Sequence, residues 1–171
     1  MISWKDLENA QPELAAFGVE RFEQFGVAYL ATVRADGSPR VHPVTPIVGQ
    51  GHLFLFMEPT SPKGHDLRRD GRYALHCSVS STSGASGEFF ISGHATFIDD
   101  PAIRRLAVEL STYTPADRYI LFELEVERAA STIYTDESPV RQQWKAVRAV
   151  SYTHLRAHET KANLVCRLLL E

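Results

Sequence analysis

The sequence predicts a mainly β protein with flanking helices, in which six antiparallel strands form a barrel. Short apolar runs alternate with polar residues at a period of two, and turns containing glycine or proline separate one run from the next. Neither the βαβ rhythm of a parallel sheet nor a glycine-rich dinucleotide motif is present. The chain of 171 residues, 44% of them hydrophobic, has the length and composition of one domain with a substantial core.

The first segment has the signals of two consecutive helices. Ser3 can cap a first turn that carries Asp6 at its third position, and Pro12 restarts the helix. Apolar residues then follow helical spacing as far as Gly26, a typical C-terminal stop: Leu14, Phe17, Phe22 and Phe25. We expect this segment to plug one mouth of the barrel.

A hairpin is predicted next. Residues 27–33 alternate as a strand, and Asp36-Gly37 favours a type I′ turn, in which both central residues have positive φ. The return strand, residues 40–48, contains Pro43 and Pro46. Because proline cannot donate to a strand ladder, this strand is expected at an edge, at a bulge or beside a ligand.

A second turn and a short helix follow. Gly49 and Gly51 bracket the turn, and residues 52–57 (HLFLFM) form the third strand. A hydroxyl residue before a proline then indicates a helix start, with Ser61 as the cap and Pro62 at the first position. The predicted helix covers residues 63–70.

The remaining elements follow from the same patterns. We expect strands at 73–80 and 88–98, a polar loop at 80–88, a helix from Pro101 to about Thr112, and a strand at 119–128 that continues over 131–134. Gly93 lies inside a predicted strand, where glycine indicates a bulge or a close approach of another backbone.

Composition narrows the functional classes. A net charge of −3 argues against a nucleic-acid-binding protein, which would need a basic face. No apolar run reaches the roughly 18 residues of a membrane-spanning helix, and the amphipathic, acidic start of the sequence predicts no signal peptide. The two cysteines, Cys77 and Cys166, are far apart, so the expected location is the reducing cytoplasm. The scattered histidines predict no metal site, and neither a Ser-His-Asp order nor a paired-carboxylate motif is discernible.

One group of residues has the chemistry of an anion site. The first-turn amides of the helix capped by Ser61 lack intrahelical partners, and Lys63 adds a positive charge there. Arg40, on a preceding strand, could bind an oxyanion through two parallel hydrogen bonds. If the strands lie side by side, these groups converge on one phosphate. The alternative interpretation is a solvated lysine at a helix start and an arginine on an exposed strand face.

The same stretches resemble a known family. The runs LATVRADGSPRVHPV and LFLFMEPTSPKGHDLRRDGRYAL are similar, in order and spacing, to the FMN-binding split-barrel family typified by pyridoxamine 5′-phosphate oxidase, over about residues 27–134. The resemblance implies a split β-barrel in which an arginine binds the flavin phosphate and strand backbone groups contact the ring. His42 would either hydrogen-bond the ring or pack against it. The positions that the resemblance assigns to cofactor binding are Arg40, Val41, His42, Pro43, Phe56, Met57, Ser61 and Lys63.

The sequence departs from the oxidase itself at three points. Pro62 stands where the oxidase has a second basic residue, Thr45 stands where it has a substrate-phosphate lysine, and its C-terminal Arg-x-His motif is absent. The resemblance therefore implies an FMN-dependent oxidoreductase for another small planar substrate. A deazaflavin-dependent reductase of the same fold and a non-enzymatic flavin- or haem-binding module are the alternatives. In the enzymes the cofactor, and no dedicated acid–base residue, carries the chemistry.

The resemblance also implies a homodimer with the cofactor at the interface, where Trp144 would contact the flavin. Residues 1–150 are expected to form the domain. From Ser151 the chain reads SYTHLRAHETKANLVCRLLLE, which is similar to translated sequencing-adapter DNA, so residues 151–171 are expected to be a non-native tail. The alternative, a metal site at His154 and His158 one helical turn apart, lacks a third ligand nearby.

Overall fold

The computed structural model describes residues 2–80 and 86–146, so the expected tail lies outside the described residues. Its helices are α1 (Trp4–Ala10), α2 (Pro12–Phe25), α3 (Pro62–Arg69) and α4 (Pro101–Leu110). Its strands are β1 (Ala28–Val33), β2 (Pro39–Val44), β3 (Ile47–Gly49), β4 (His52–Met57), β5 (Arg72–Cys77), β6 (Glu88–Ile98), β7 (Ile120–Ile133) and β8 (Val140–Lys145). None of the helices described is both long and apolar enough to cross a membrane.

The strands of the described chain form one antiparallel sheet that curls into a barrel. Its order is β2-β1-β5-β6-β7-β4-β3, and β8 pairs with β7. The two ends of this path, β2 and β3, are consecutive in the chain and separated only by Thr45 and Pro46, so the curled sheet brings its own ends together. The predicted mainly β class and split barrel are confirmed, with eight strands in place of the predicted six.

The prediction of one return strand over residues 40–48 is wrong. Strands β2 and β3 pair with different neighbours, β1 and β4. Pro46 accounts for the break, because it fixes its own φ and cannot donate a ladder hydrogen bond. The expected edge position is confirmed for Pro43, which lies in β2 at one end of the sheet. The sequence does not predict strand β8. Five of its six residues are exposed, so it lacks the alternation of apolar and polar residues that indicates a strand.

The tight turns differ from the prediction in one place. The prediction of a type I′ turn at Asp36-Gly37 is wrong, because Gly37 has a positive φ of 83° but Asp36 does not. Asp36 instead accepts the backbone N–H two residues ahead at 2.9 Å, which favours a type I turn followed by a left-handed glycine. The turn between β3 and β4 has two positive φ angles, at Gln50 (50°) and Gly51 (81°).

The core has two parts. Inside the barrel, α1 and α2 pack with alternate strand residues, as expected for a helical plug, and the bulky side chains there include Trp4, Leu14, Leu30, Phe89 and Phe122. On the outside of β4, Phe54 and Phe56 pack with Ala107 of α4. Strand β4 is therefore buried on both faces, which accounts for its continuous apolar sequence.

The expected irregularity in β6 is confirmed. The pairing of β6 with β7 shifts register between Ser92 and Gly93. A Cβ atom on Gly93 would lie 1.9 Å from the carbonyl oxygen of Glu125, closer than any side chain tolerates. Glycine is therefore required at this bulge.

Candidate functional site

Helix α3 presents Lys63 in its first turn, and its start is fixed by local contacts. Ser61 is the N-cap, with its hydroxyl oxygen accepting the Gly64 N–H at 3.2 Å, and Pro62 takes the first helical position, as the sequence predicts. A Cβ atom on Gly64 would lie 3.0 Å from Ser61 Oγ and 3.4 Å from Met57 Sδ. The helix start is thus packed closely onto the end of β4.

A buried carboxylate joins α3 to the edge of the sheet. Asp66 is only 3% exposed, and its Oδ2 accepts hydrogen bonds from Arg40 Nε at 2.7 Å and from the Thr32 hydroxyl at 2.9 Å. Its Oδ1 accepts one from Arg69 at 3.2 Å. Burial alone would raise the Asp66 pKa, but these donors outweigh burial and hold the pKa below its usual value. Asp66 is therefore ionised at neutral pH and ties Arg40 to the helix.

Arg40 and Lys63 both affect the pKa of one histidine, His42. Burial lowers the pKa of His42, and the positive charges of Lys63 and Arg40 lower it further. His42 is consequently uncharged at neutral pH. Burial also lowers the pKa of the half-buried Lys63, which has no carboxylate partner within residues 2–80 and 86–146. Arg40 and His42 share one face of β2, and Lys63 is near enough to His42 to lower its pKa.

Arg40 retains free hydrogen-bonding capacity. Of its five N–H donors, only the one on Nε is engaged in the described part of the chain, and its side chain is 24% exposed. The terminal Nη groups can thus form the paired hydrogen bonds that suit a phosphate or carboxylate. With Lys63 nearby, the cluster of Arg40, His42 and Lys63 has the chemistry of an anion site. We call it the anion cluster.

Exposure alternates along β2, so Val41 and Pro43 lie on the face opposite Arg40 and His42. Val41 is 61% exposed there, and Tyr29 of β1 is 48% exposed. Cross-strand pairing places Ala31 directly between Val41 and Ala74. We call this surface the outer sheet face. His76 lies on it between Tyr29 and the half-buried Phe90, and its apolar residues are Tyr29, Ala31, Val41, Ala74 and Phe90.

The other predicted site residues lie in separate surroundings. Phe56 packs in the cluster under α4, whereas Met57 faces the barrel core. Trp144 lies in β8 opposite Ala129 and packs against the edge of the core. Cofactor contacts from Phe56, Met57 and Trp144 stay predictions.

Two members of the buried network are missed by sequence reasoning. Asp66 follows Lys63 by one helical turn, a spacing that places both residues on one side of α3. Thr32 shares the alternation of the buried Ala28 and Leu30, so its hydroxyl is on an inward face and needs a partner. Both signals are in the sequence, but they do not show that Asp66 and Thr32 meet, because the sequence does not give the position of α3 over the strands.

The anion cluster lies outside five clefts on the surface of the described chain. These five clefts have volumes between 270 and 570 Å³, and none of the five is lined by Arg40, His42 or Lys63. None of these clefts would therefore enclose a ligand bound at the anion cluster.

Comparisons with known proteins agree with this architecture. Residues 15–133 match the family model described as pyridoxamine 5′-phosphate oxidase. No curated protein matches the sequence. A haem binding protein from Mycobacterium smegmatis has a similar structure, with 20% sequence identity and a TM-score of 0.64 over 79% of this chain; the match spans only 59% of that protein.

Two further solved structures are similar. A candidate pyridoxamine 5′-phosphate oxidase from Listeria innocua has 21% identity and a TM-score of 0.56, covering 68% of this chain and 96% of that one. A candidate 5-nitroimidazole antibiotic resistance protein from Bacteroides thetaiotaomicron has 16% identity and a TM-score of 0.54, covering 66% and 81%. At these identities the structural likenesses show the fold alone.

Proposed function

The chain belongs to the pyridoxamine 5′-phosphate oxidase family, and from that premise we propose that it is a cytoplasmic FMN-dependent oxidoreductase acting on a small planar substrate. One observation carries the proposal. Arg40 is hydrogen-bonded at 2.7 Å to Asp66, which lies one helical turn after Lys63, and the half-buried Lys63 has no carboxylate partner in the described chain. A flavin phosphate would supply the missing negative charge through charge-assisted hydrogen bonds.

The flavin ring is proposed to lie along the free edge of β2. Pro39 and Pro43 cannot donate backbone hydrogen bonds, so they suit positions whose backbone groups point away from β1. Val41 lies midway between them, and every second residue of a strand directs its backbone groups to the same side, so those of Val41 also point away from β1. The backbone N–H and C=O of Val41 would then be available to polar atoms of the ring. This arrangement agrees with the role that the family resemblance gives to the strand.

A homodimer is proposed to complete the site. Val41 and Tyr29 expose large apolar surfaces on the outer sheet face, and contiguous apolar surface of this kind marks contact regions. A twofold dimer buries the same patch on both copies. Because β2 is at the end of the sheet, a second copy on this face would reach the edge along which the ring is proposed to lie, and would enclose the ring there.

When bound, FMN supplies the hydride or electron chemistry. The residues of the chain bind and orient it: Arg40 and Lys63 hold the phosphate, and the second copy excludes water from the ring. His42 presents an uncharged imidazole next to the phosphate site and adds no further charge. Thr45 lacks the charge of the oxidase lysine at that position, so the proposed substrate carries no phosphate.

A non-enzymatic flavin- or haem-binding module is the second candidate. The observation that favours it is the likeness to a haem binding protein, together with the neutral, half-buried imidazole of His42, a common type of haem ligand. Such a module would bind its cofactor but show no turnover with any reductant. A deazaflavin-dependent reductase would differ again, because it would lack colour when purified from a host without that coenzyme.

The test is the absorbance spectrum of the purified protein, with the released cofactor identified by its mass. We expect a flavin spectrum and the mass of FMN; a haem spectrum or a different mass would contradict the proposal. Arg40→Ala and Lys63→Ala should each weaken FMN binding by about 1.5–3 kcal/mol. Arg68→Ala is the matched control, because Arg68 lies on the same helix but stacks 4.4 Å from the Phe97 ring. Unchanged affinity in both site variants would remove the assignment.

A further inference from the structure

We propose that Asp66 is a positioning residue, which holds the guanidinium of Arg40 in the orientation that binds phosphate. The inference rests on the proposed anion cluster and adds to it a residue that touches no ligand. Asp66 is on α3, Arg40 is on β2, and the hydrogen bond of 2.7 Å between them is the link from the helix to the sheet edge.

The carboxylate is itself held rigidly. The Thr32 hydroxyl donates to the same Oδ2 atom that accepts from Arg40, and Thr32 and Arg40 are direct cross-strand partners. Thr32 and Asp66 are 2% and 3% exposed, so neither group can exchange its partner for water. The acceptor that faces Arg40 is therefore fixed from the strand and from the helix together.

The atom used on Arg40 decides what this contact does. A carboxylate that bound both Nη groups would occupy the fork that recognises oxyanions. Asp66 binds Nε instead, so the side chain is anchored while the terminal donors stay free in the described chain. Lys63 lies one turn before Asp66 on the same helix, so the anchor also fixes Arg40 relative to the second cation.

The contact with Asp66 orders the long Arg40 side chain before the ligand binds, so ordering it does not reduce the affinity for the ligand. Ordering one flexible side chain on binding lowers affinity by about two- to ten-fold. The negative charge of Asp66 acts in the opposite direction, because it repels an incoming anion. A test must therefore move the anchor without removing its charge.

Asp66→Glu meets that need, since it keeps the carboxylate and displaces it by one methylene. Thr32→Val is the milder second variant, which loosens the carboxylate without changing any charge. Asp70→Glu is the matched control: the same exchange at the end of α3, where Asp70 pairs with Arg72 at 2.6 Å and not with Arg40. The probes are inorganic phosphate, followed through the imidazole resonances of His42, and FMN and riboflavin, followed by flavin fluorescence.

We expect Asp66→Glu to weaken phosphate and FMN binding by about two- to ten-fold and to leave riboflavin binding unchanged. Thr32→Val should act in the same direction, and Asp70→Glu should have no effect. In an Arg40→Ala background the effect of Asp66→Glu should disappear, as a double-mutant cycle requires of a residue that acts through another.

The inference is overturned if Asp66→Glu and Thr32→Val leave phosphate affinity unchanged, or if Asp66→Glu weakens it equally with and without Arg40. It is also overturned if the wild type binds no phosphate at the anion cluster. If Asp66→Glu does not fold, the phosphate affinity of Thr32→Val alone decides whether the inference stands. A wild type that binds phosphate but does not prefer FMN to riboflavin would refute the flavin proposal, while the phosphate measurements would still decide the role of Asp66.

Discussion

Replacing Arg40 with methionine should destabilise the protein, because it removes a charged donor from the buried carboxylate of Asp66. The variant keeps the aliphatic part of the side chain, so the change isolates the 2.7 Å hydrogen bond. A hydrogen bond to a charged group contributes about 1.5–3 kcal/mol. Thr32 and Arg69 would remain, and the Arg40 side chain is 24% exposed, so we expect the lower part of that range, about 1.5–2 kcal/mol.

The destabilisation should depend on pH in a defined direction. The Asp66 pKa lies below its usual value in the folded protein, so its contacts stabilise the fold above the unfolded-state value of about 3.9 and lose effect as pH falls through the folded value. Without Arg40 the buried carboxyl has fewer donors and its pKa rises. The stability difference between wild type and variant should therefore be largest at neutral pH and should narrow towards pH of about 4.

Urea unfolding of both proteins between neutral and acidic pH, at one fixed protein concentration, measures this difference. For a chain of this size the neutral-pH loss corresponds to a lowering of Tm by about 3–8 °C. Arg68→Met is the matched control, since Arg68 contacts the Phe97 ring and not Asp66. A variant as stable as wild type at neutral pH, or a stability difference that stays constant with pH, would refute the role given to this ion pair.

Two further predictions concern assembly and packing. Val41→Asp should turn the proposed dimer into monomers in sedimentation experiments, because it places a charge on the outer sheet face. Val108→Asp is the control: it changes another exposed valine, on α4, and should leave the assembly unchanged. A Val41→Asp variant that still sediments as a dimer would contradict the interface. Gly93→Ala should lower the free energy of unfolding by about 1–3 kcal/mol or more, because the new methyl group meets the Glu125 carbonyl oxygen, and a thermal melt equal to that of wild type would show that the bulge tolerates a side chain.

The sequence predicted most of the fold because the decisive signals were local. The cap at Ser61, the stop at Gly26 and the bulge at Gly93 each depend on the conformational properties of one residue, and the structure has all three. The division of the return strand at Pro46 was less predictable. A proline marks a break, but which strand each half joins is decided by closure of the whole sheet.

The anion cluster was predictable only in part. Arg40 and Lys63 were identified as cations near a helix start, and family resemblance assigned both to one phosphate. Asp66 could not be placed, because its partners come from α3, β1 and β2, and the sequence alone does not specify how a helix is rotated over a sheet. The apolar character of the outer sheet face was likewise hidden, since small residues such as Ala31 and Ala74 fit either face of a strand.

A crystal structure of the protein with FMN is the most direct test of the proposed cofactor site. We predict that the flavin phosphate lies within hydrogen-bonding distance of Lys63 Nζ and of the Nη groups of Arg40, with Arg40 Nε still bound to Asp66. A phosphate held elsewhere, while Arg40 and Lys63 remain in contact with solvent, would contradict it.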